Sequence, residues 1–592
     1  MLDKFGVARA LREIGALLEL EGENPFKVRA YENGARAVEE LRDDLGALVE
    51  QDRLRELPGV GEALARKISD LHRTGTTEAL ARLHERHPPG TLELLALPDL
   101  GPRKVAALQA ALGIASVADL EAACAAGRVS AVKGFGEKTE HRILEGIRRV
   151  RERAADHRFL LVDALGAADA IIEHLRGSPA VLAAAVAGSA RRFRETVADV
   201  DIVVASRDPA AVSARLLSFP LVAETLALGE TKTTVRLASG LPVDIRVAPP
   251  EDHATLLHHL TGSKAHHVKL RGMARDLGYT LSEWGLFRLP AGASRADGGG
   301  AAPPDRSAKV AIESEEALYR ALGLAFVPPE LREDAGEIEA ARAGTLPADL
   351  VRLEDVRGLV HCHTSWSDGR ASLEEMARAA DALGFEYMTV TDHSRSAGYA
   401  GGLDEDRLRL QWDEIARVQE RVKVRLLRGT ESDILEDGAL DFPDRVLEQL
   451  DVVVASVHSR MKMTEDEMTR RLVRCMSLPV FKIWGHALGR LLLERDPFAA
   501  RLEEVLDALA GHGAVEVNGD PKRLEMAPAG LRAATARGIP VVLSVDAHSV
   551  AGLGYLGFAV GTARRGWVRK RDVLNASSVG EFREAVKPVR GG

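Results

Sequence analysis

The sequence is poor in cysteine and aromatic residues, and it has no long apolar run. Only three cysteines occur among 592 residues, at positions 124, 362 and 475. They are too few for a disulfide framework and include no Cys-x-x-Cys pair, which is typical of a reducing compartment. Because no run of about 18 apolar residues occurs, the sequence predicts neither a membrane helix nor a signal peptide. We therefore expect a cytoplasmic protein.

The composition is otherwise that of an ordinary folded protein. Hydrophobic residues make up 46% of the chain and charged residues 28%, with aromatic residues at 4%, which gives no sign of wholesale disorder. The length exceeds what one hydrophobic core supports and indicates about three to five domains. The net charge of -9 shows no basic excess, so a nucleic-acid-binding protein of this composition must cluster its basic residues locally.

Short glycine-containing turns recur three times between helical patterns in the first 140 residues. They occupy residues 57–61, 97–101 and 132–136. Such turns are signatures of helix-hairpin-helix motifs, in which the glycine backbone approaches a phosphate and the amides of the next helix donate to it. These contacts hold DNA without reading its sequence. The middle copy has Asp99 in place of the first glycine, so a purely structural role stays open there. The candidate DNA-binding residues are Gly59, Gly61, Gly101, Gly134 and Gly136.

Three aspartates in the next region form a candidate catalytic group. From about residue 156 strand-like and helical segments alternate, and Asp199 and Asp201 stand at the strand-like run 200–205. On a strand the two would point to one face about 7 Å apart, and Asp244 can reach them from a neighbouring strand. Three converging carboxylates can hold two hard cations. This pattern predicts a nucleotidyltransferase, although an isolated Asp-x-Asp is more often a solvated strand edge.

A glycine and serine turn precedes these aspartates. Gly188 and Ser189 follow a strand-like run and are followed by Arg191 and Arg192. We predict that Ser189 and Arg192 hold the triphosphate of an incoming nucleotide beside the carboxylates.

Nine metal-type side chains recur through the last 240 or so residues. Strand alternation would place His361 and His363 on one face and Cys362 in the core, and we expect each candidate ligand just beyond a strand. Loops at the carboxyl ends of barrel strands are where such folds place their sites. Mixed imidazole and carboxylate ligands suit Mn, Zn or Fe, so the pattern predicts a metal-dependent hydrolase. The candidate ligands are His361, His363, Asp368, His393, Glu431, His458, His486, Asp546 and His548.

Together these motifs resemble the X family of DNA polymerases, whose bacterial members add a C-terminal polymerase and histidinol phosphatase (PHP) domain. The match also rests on residues 22–26, 261–263, 285–287 and 327–334. It implies a multidomain α and α/β protein whose PHP domain is a distorted (βα)7 barrel. The implied order is an N-terminal helical DNA-end-binding domain (1–80), fingers (81–155), a nucleotidyltransferase palm (156–255), a thumb (256–334), a linker (335–352) and the PHP domain (353–592).

The resemblance also implies functions for particular residues. Asp199, Asp201 and Asp244 would hold Mg or Mn for polymerisation, Gly188 and Gly262 would line the nucleotide site, and Tyr31 would contact DNA. The PHP ligands would hold three divalent ions for 3′-5′ exonuclease action or 3′-end cleaning. The implied partners are gapped or nicked double-stranded DNA and dNTPs, and we expect a monomer acting in DNA repair, including base excision repair.

Lys67 matches the lysine with which some members of the family excise a deoxyribose phosphate. A Schiff base of this kind needs a lowered lysine pKa near a phosphate pocket. A helix lysine that contacts phosphate is the alternative, and we favour it.

Several residues depart from the family pattern around the incoming nucleotide. Phe193 and Ala198 stand where the family has glycines and are expected to add bulk beside the triphosphate. His259 replaces a tyrosine, and His267 replaces an asparagine that contacts the nucleotide. These departures leave two alternatives to polymerisation: a nuclease whose polymerase half is a DNA clamp, and a DNA-binding scaffold with both sites silent.

Overall fold

The computed structural model describes residues 2–588, except residues 3, 40, 42–44, 58, 88, 89, 96, 98, 99, 156 and 291–305. The glycine- and proline-containing segment 290–307, for which the sequence predicts a loop, falls almost entirely outside the described residues. The described residues up to 155 form helices arranged around two hydrophobic cores, one built mainly from residues 7–83 and the other from 94–147. The helices are α1 (Lys4–Leu20), α2 (Pro25–Glu39), α3 (Leu45–Glu50), α4 (Glu62–Thr74), α5 (Glu78–Arg86), α6 (Gly90–Leu95), α7 (Pro102–Leu112), α8 (Val117–Ala125) and α9 (Glu137–Ala155).

Each predicted hairpin turn leads directly into a helix. Gly61 immediately precedes α4, Gly101 precedes α7, and Gly136 precedes α9. Gly59 and Gly134 have φ values of +76° and +93°, in the left-handed region that favours glycine. The amides at the start of these helices have no partner within their own helix and can donate hydrogen bonds to a phosphate.

No single described helix is long and apolar enough to cross a membrane. The pair α7 and α8 passes the same test of length and composition only when the two are taken together, and it is bent by 68°.

The predicted palm contains a five-stranded sheet in the order β2-β4-β7-β6-β5. Strands β4 and β7 are parallel neighbours, while the other pairs are antiparallel. Helix α10 buries one face of apolar side chains against this sheet. The elements are β1 (Phe159–Leu160), α10 (Leu161–Arg176), β2 (Ala183–Val186), α11 (Gly188–Arg191), β3 (Thr196–Val197), β4 (Val200–Ala205), α12 (Pro209–Leu217), β5 (Val222–Leu228), β6 (Lys232–Leu237) and β7 (Pro242–Ala248).

The predicted thumb and linker share one core. In the part of this region that the structure describes, a three-stranded sheet in the order β10-β9-β8 accompanies four α-helices. Ile338 and Leu350 of the linker pack into the same apolar cluster as the thumb. Glu337 is fully buried and accepts a hydrogen bond from His266 Nδ1 at 2.6 Å. The elements are α13 (His253–Thr261), α14 (Lys264–Asp276), β8 (Tyr279–Ser282), β9 (Gly285–Arg288), β10 (Lys309–Val310), α15 (Glu315–Ala321) and α16 (Glu337–Ala343).

The last 235 or so residues form a seven-stranded parallel barrel. The strands follow chain order from β11 to β17. Backbone bonds from Val545 N to Val360 O and from Ala547 N to His361 O bring the first and last strands together. The elements are β11 (Gly358–Cys362), α17 (Leu373–Ala382), β12 (Tyr387–Val390), α18 (Glu405–Gln419), β13 (Arg425–Asp433), α19 (Asp444–Leu447), β14 (Val452–Ser456), α20 (Glu465–Met476), β15 (Lys482–Trp484), α21 (Leu502–Leu509), β16 (Gly513–Asn518), α22 (Pro528–Ala536), β17 (Val541–Ser544), α23 (Leu556–Arg565) and α24 (Val579–Val586).

The palm packs directly against this barrel, and Phe193 lies at the junction. A Cβ on Gly561 of α23 would stand 2.0 Å from Phe193 Cδ1, and the Phe558 ring centroid lies 6.5 Å from that of Phe193. Glu195 pairs with Arg565 at 2.9 Å across the same contact. The expectation that Phe193 adds bulk beside the triphosphate is therefore wrong, because its ring packs on the barrel.

Candidate metal centres

The three palm aspartates converge as the sequence predicts. Asp201 on β4 stands in register with Asp244 on the parallel strand β7, and Asp199 lies directly before β4. Asp244 accepts a hydrogen bond from Thr234 Oγ1 at 2.6 Å and pairs with Lys232 Nζ at 2.7 Å. Neighbouring strands of one sheet therefore fix the group.

Like charges and burial make this group unfavourable without a cation. Burial, followed by the charges of Asp199 and Asp244, raises the pKa of Asp201 to about 7. Burial and Asp244 also raise the pKa of Asp199. Hard divalent cations would relieve both effects, because oxygen ligands are what Mg and Mn prefer. The residues present therefore fit a divalent-cation site.

The raised pKa of Asp201 predicts a stability change in the metal-free protein. The folded-state pKa exceeds the ordinary value, so ionisation of Asp201 destabilises the fold progressively as pH rises from about 4 to 7. Asp201→Asn should stabilise the metal-free palm by about 2 kcal/mol at pH 8 and by less at pH 5. Hydrogen exchange of β4 peptides in EDTA measures this. Equal protection of the two proteins at pH 8 would contradict it.

Gly188 touches Asp201 closely. A Cβ at position 188 would stand 2.0 Å from Asp201 Oδ2, and its φ is +63°. No larger residue fits without moving the carboxylate, so the turn that begins with Gly188 is held against the aspartates.

Arg192 is engaged by the thumb rather than exposed for a ligand. Its Nε donates to Glu333 at 2.9 Å and its Nη1 donates to the carbonyl of Thr261 at 2.7 Å. The neighbouring Arg191 donates to Glu315 and to Thr261 Oγ1. A triphosphate that binds Arg192 would therefore compete with the carboxylate of Glu333 for the guanidinium.

Gly262 lies beside His259 and His267, the two histidines of the thumb that depart from the family pattern. A Cβ at Gly262 would stand 2.8 Å from His267 Nε2, and the His259 and His267 ring centroids are 5.3 Å apart. Burial, followed by the charge of His259, lowers the pKa of His267 to about 3. His267 is therefore a neutral imidazole at physiological pH, and its buried Nε2 makes no hydrogen bond with the described residues.

Lys67 and Tyr31 lie together in the first domain. Lys67 is partly exposed, its Nζ lies 5.8 Å from the centroid of the Tyr31 ring, and it donates to Ala63 O at 3.4 Å. Tyr31 is only 6% exposed and belongs to the domain core. A DNA contact by Tyr31 is thus restricted to a small part of its side chain.

The structure brings all nine predicted ligands of the barrel together. Among the described residues they form four overlapping groups whose ligand atoms lie within 4.8 Å of one another, and Glu431 belongs to two of these groups. The groups are His363 with Asp368, His393 and His548; His361 with His486 and Asp546; His361 with His363 and Glu431; and His393 with Glu431 and His458.

Two ligands are placed differently from the expectation. His361 and Glu431 lie within strands β11 and β13 rather than just beyond them. His361 interrupts strand alternation with a φ of +63°, and Asp546 and His486 have φ values of +47° and +24°. Such values are costly for residues with side chains and concentrate at functional sites.

Unsatisfied buried atoms indicate that this cluster fits metal ions. His361 Nε2, both ring nitrogens of His363 and Glu431 Oε2 are buried and make no hydrogen bond within the described structure. Burial lowers the pKa of His363 to about 3. Burial also lowers the pKa of His393, but the charges of Glu431 and Asp368 outweigh it and raise that pKa to about 10. Buried polar atoms without partners are rare, and divalent ions would satisfy these.

Two carboxylates that the sequence analysis missed orient the ligands. Glu516 on β16 is buried and accepts hydrogen bonds from His361 Nδ1, at 2.6 Å, and from the backbone amide of His486. Asp433 accepts a hydrogen bond from His458 Nδ1. Such partners fix the orientation of ligand histidines and raise their basicity.

A partly buried arginine, Arg523, also lies beside the cluster. Arg523 Nε lies 3.2 Å from Asp546, and Arg523 Nη1 is buried without a hydrogen bond in the described structure. Arg490 donates to the carbonyls of Arg523 and Leu524 and lies 3.8 Å from Glu195. Arg490 thus belongs to the junction with the palm.

Comparison with known proteins agrees with this arrangement of domains. Residues 4–77 match a helix-hairpin-helix domain and residues 91–149 a SAM-like helix-hairpin-helix tandem. Residues 256–333 match the DNA polymerase beta thumb, and residues 360–519 match the PHP domain. The chain is 34% identical over 590 residues to the DNA polymerase/3′-5′ exonuclease PolX of Bacillus subtilis strain 168, covering 99% of this chain and 100% of that protein. This chain belongs to the PolX family.

PolX membership confirms the family resemblance and the fold expected from it. The PHP half alone is also similar to a probable phosphatase of Thermoanaerobacter sp. strain X514, with 27% identity over 38% of this chain and 93% of that protein. A structure of Leishmania infantum polymerase beta in a ternary P/T complex is 22% identical, with a TM-score of 0.28, and covers 41% of this chain and 98% of that chain.

Proposed function

We propose that this PolX chain fills short gaps in DNA by template-directed nucleotide addition at the palm and shortens or cleans 3′ ends at the PHP site. The observation that carries the proposal is the presence of two separate metal-type clusters in one chain. One consists of the aspartates in register on β4 and β7, and the other of the nine ligands at the barrel. Both halves are metal-dependent.

In the palm, Asp199, Asp201 and Asp244 would hold Mg or Mn. When bound, such ions lower the pKa of an attacking hydroxyl and neutralise charge on the leaving pyrophosphate. Arg192, Ser189 and the backbone at Gly188 would bind the triphosphate. Lys232 holds Asp244 at 2.7 Å and so fixes the third carboxylate in position.

Releasing Arg192 from Glu333 should improve nucleotide binding. Glu333→Gln removes the charge that competes with the triphosphate for Arg192. The two side chains are only 13% (Arg192) and 23% (Glu333) exposed. We expect the KM for dNTP to fall roughly fivefold, equivalent to about 1 kcal/mol. Single-nucleotide gap filling measures it. The matched control is Glu339→Gln, which changes a linker carboxylate paired with Lys269 of the thumb at 2.8 Å. An unchanged or higher KM in Glu333→Gln would contradict the prediction.

In the barrel, the nine ligands would hold about three ions, with Mn, Zn or Fe the best fit to mixed imidazole and carboxylate donors. When bound, such ions activate water and polarise a phosphodiester. Glu516 and Asp433 orient the ligand histidines. Arg523 supplies an unpaired buried guanidinium N–H, which a phosphate oxygen would satisfy with a charge-assisted hydrogen bond.

The DNA partner would be gapped or nicked duplex held through its backbone. The turns at Gly59 and Gly61, Gly101, and Gly134 and Gly136 would each present helix amides to phosphates. We propose a monomer acting in the cytoplasm, and the three unpaired, buried cysteines are compatible with that compartment.

The structure weakens the alternative in which the polymerase half acts only as a DNA clamp. That alternative depended partly on Phe193 crowding the triphosphate, and the ring of Phe193 packs on Gly561 and Phe558 instead. Excision of deoxyribose phosphate by Lys67 remains a separate proposal. Borohydride trapping on abasic DNA, comparing the native chain with Lys67→Ala, tests it, and the absence of a Lys67-dependent adduct would dispose of it.

The direct test of the proposed function uses a one-nucleotide gap with a labelled primer. The native chain with Mg or Mn should extend the primer by one nucleotide when dNTP is present and shorten it when dNTP is absent, and EDTA should abolish both. Shortening without extension would favour the clamp alternative. The absence of both activities would favour a DNA-binding scaffold.

A further inference from the structure

Tyr399 presents an exposed aromatic ring beside the histidine cluster. It is 72% exposed, the largest value among the exposed large hydrophobic side chains of the described barrel. Its ring centroid nevertheless lies 6.1 Å from that of His393 and 6.2 Å from that of His458. The ring is therefore open to solvent and adjacent to two ligands.

The loop that carries Tyr399 is anchored on both sides of the ring. On one side, Ser396 Oγ donates to Asp433 at 3.1 Å, the same carboxylate that accepts a hydrogen bond from His458. On the other, Arg407 Nη1 donates to Gly401 O at 2.6 Å and more weakly to Gly402 O. A backbone bond from Leu403 N to His393 O closes the loop. These contacts fix the position of the ring relative to the metal-type side chains.

An apolar ring held in water beside a charged cluster is a natural stacking surface. Leaving it exposed forfeits the favourable burial of a large side chain. Aromatic side chains near backbone-binding sites hold nucleobases by stacking, and they do so for every base because each has a π-face. A phosphodiester bound at the cluster would carry its base within reach of a ring only 6 Å away.

We propose that Tyr399 stacks the terminal nucleobase of the 3′ end whose phosphodiester lies at the histidine cluster. The inference rests on the proposed nuclease function and adds the residue that recognises the base. Arg523 would hold the phosphate while Tyr399 holds the base, so the two would align the terminal nucleotide. Recognition by stacking would accept all four bases and would lose affinity for an end that has no base.

The test measures shortening of a 5′-labelled single-stranded oligonucleotide by the full chain. The native protein, Tyr399→Phe and Tyr399→Leu are compared on a natural 3′-terminal nucleotide and on a 3′-terminal tetrahydrofuran abasic residue. We expect Tyr399→Leu to raise the KM for the natural end about 10-fold to 100-fold, with a smaller change in kcat, and to leave the abasic end unaffected. Tyr399→Phe should retain native behaviour, because it keeps the ring.

Controls separate loss of fold, loss of nuclease function and loss of stacking. Leu410→Ala removes another exposed apolar side chain of the barrel, 56% exposed, and should change neither substrate. Equal effects of Tyr399→Leu on natural and abasic ends would overturn the stacking assignment while leaving the nuclease intact. Loss of activity in Tyr399→Phe would also overturn it, because the hydroxyl would then be the important group. A native chain that shortens neither substrate would overturn the nuclease proposal and this inference with it.

Discussion

Replacing Asp199 and Asp201 together with alanine should abolish gap filling while leaving 3′-end shortening at its native rate. The expected loss in extension is at least about 1,000-fold, since both cations of a two-metal site depend on these carboxylates. Asp201 and Asp244 stand in register on neighbouring strands. Of the three carboxylates, the double variant keeps only Asp244. One carboxylate, already engaged by Lys232 and Thr234, is not enough to hold two ions.

The measurement is primer extension on one-nucleotide-gapped DNA, with shortening followed in parallel without dNTP. Glu173→Gln serves as the control, because Glu173 is an exposed palm carboxylate paired with Arg176 at 3.2 Å. Extension should be native in that control. Persistent extension in Asp199→Ala/Asp201→Ala would show that nucleotide addition does not use this site.

Glu431→Gln should have the converse effect, abolishing 3′-end shortening while preserving gap filling. Glu431 is fully buried at the centre of the cluster, belongs to two ligand groups and accepts a hydrogen bond from His486 Nε2 at 2.8 Å. The substitution keeps the shape but removes the charge that balances bound cations. We expect a loss in shortening of about 1,000-fold and fewer bound ions per chain.

Two readouts separate this outcome from misfolding. Elemental analysis of the purified protein counts the bound metals, and gap filling reports that the remainder of the chain is folded. The control is Glu436→Gln, an exposed carboxylate of the same domain that pairs with Arg460 at 3.3 Å. Native metal content together with native shortening in Glu431→Gln would contradict the assignment of Glu431 as a ligand.

Local sequence patterns were enough to identify the residues of both clusters, the palm aspartates and the barrel ligands. The aspartates lie on strands or directly before one, and the alternation of apolar residues in the sequence is enough to predict those strands. The nine barrel ligands recur in step with predicted strands, and the closure of a parallel barrel necessarily gathers such positions at one end. Even where the details differ, as with His361 and Glu431 inside their strands, the barrel still brings the side chains together.

Contacts between distant segments could not be predicted in the same way. Glu333 lies 141 residues from Arg192, and nothing near Arg192 indicates that a thumb carboxylate occupies its guanidinium. The error at Phe193 has the same origin, because its partner Gly561 belongs to another domain. The family resemblance implies a glycine at this position, and the packing of the palm on the barrel explains why a large ring fits there instead.

Some of the missed residues did carry a local signal. Glu516 stands between Val515 and Val517 in a wholly buried strand, and a carboxylate there requires a buried partner. Asp433 lies two residues after Glu431 on the same strand and so tends to share its face. Tyr399 and Arg523 lie in loops without periodicity, and only the structure brings them beside the cluster.

The central claim is that one chain makes and cuts phosphodiester bonds at two separate sites. The most direct test follows conversion of a labelled dNTP to the corresponding dNMP on one-nucleotide-gapped DNA, since that product requires insertion followed by removal. The native chain should release dNMP continuously, and neither Asp199→Ala/Asp201→Ala nor Glu431→Gln should do so alone. A mixture of the two variants should restore release. Release by either variant alone, or none from the native chain, would contradict the account.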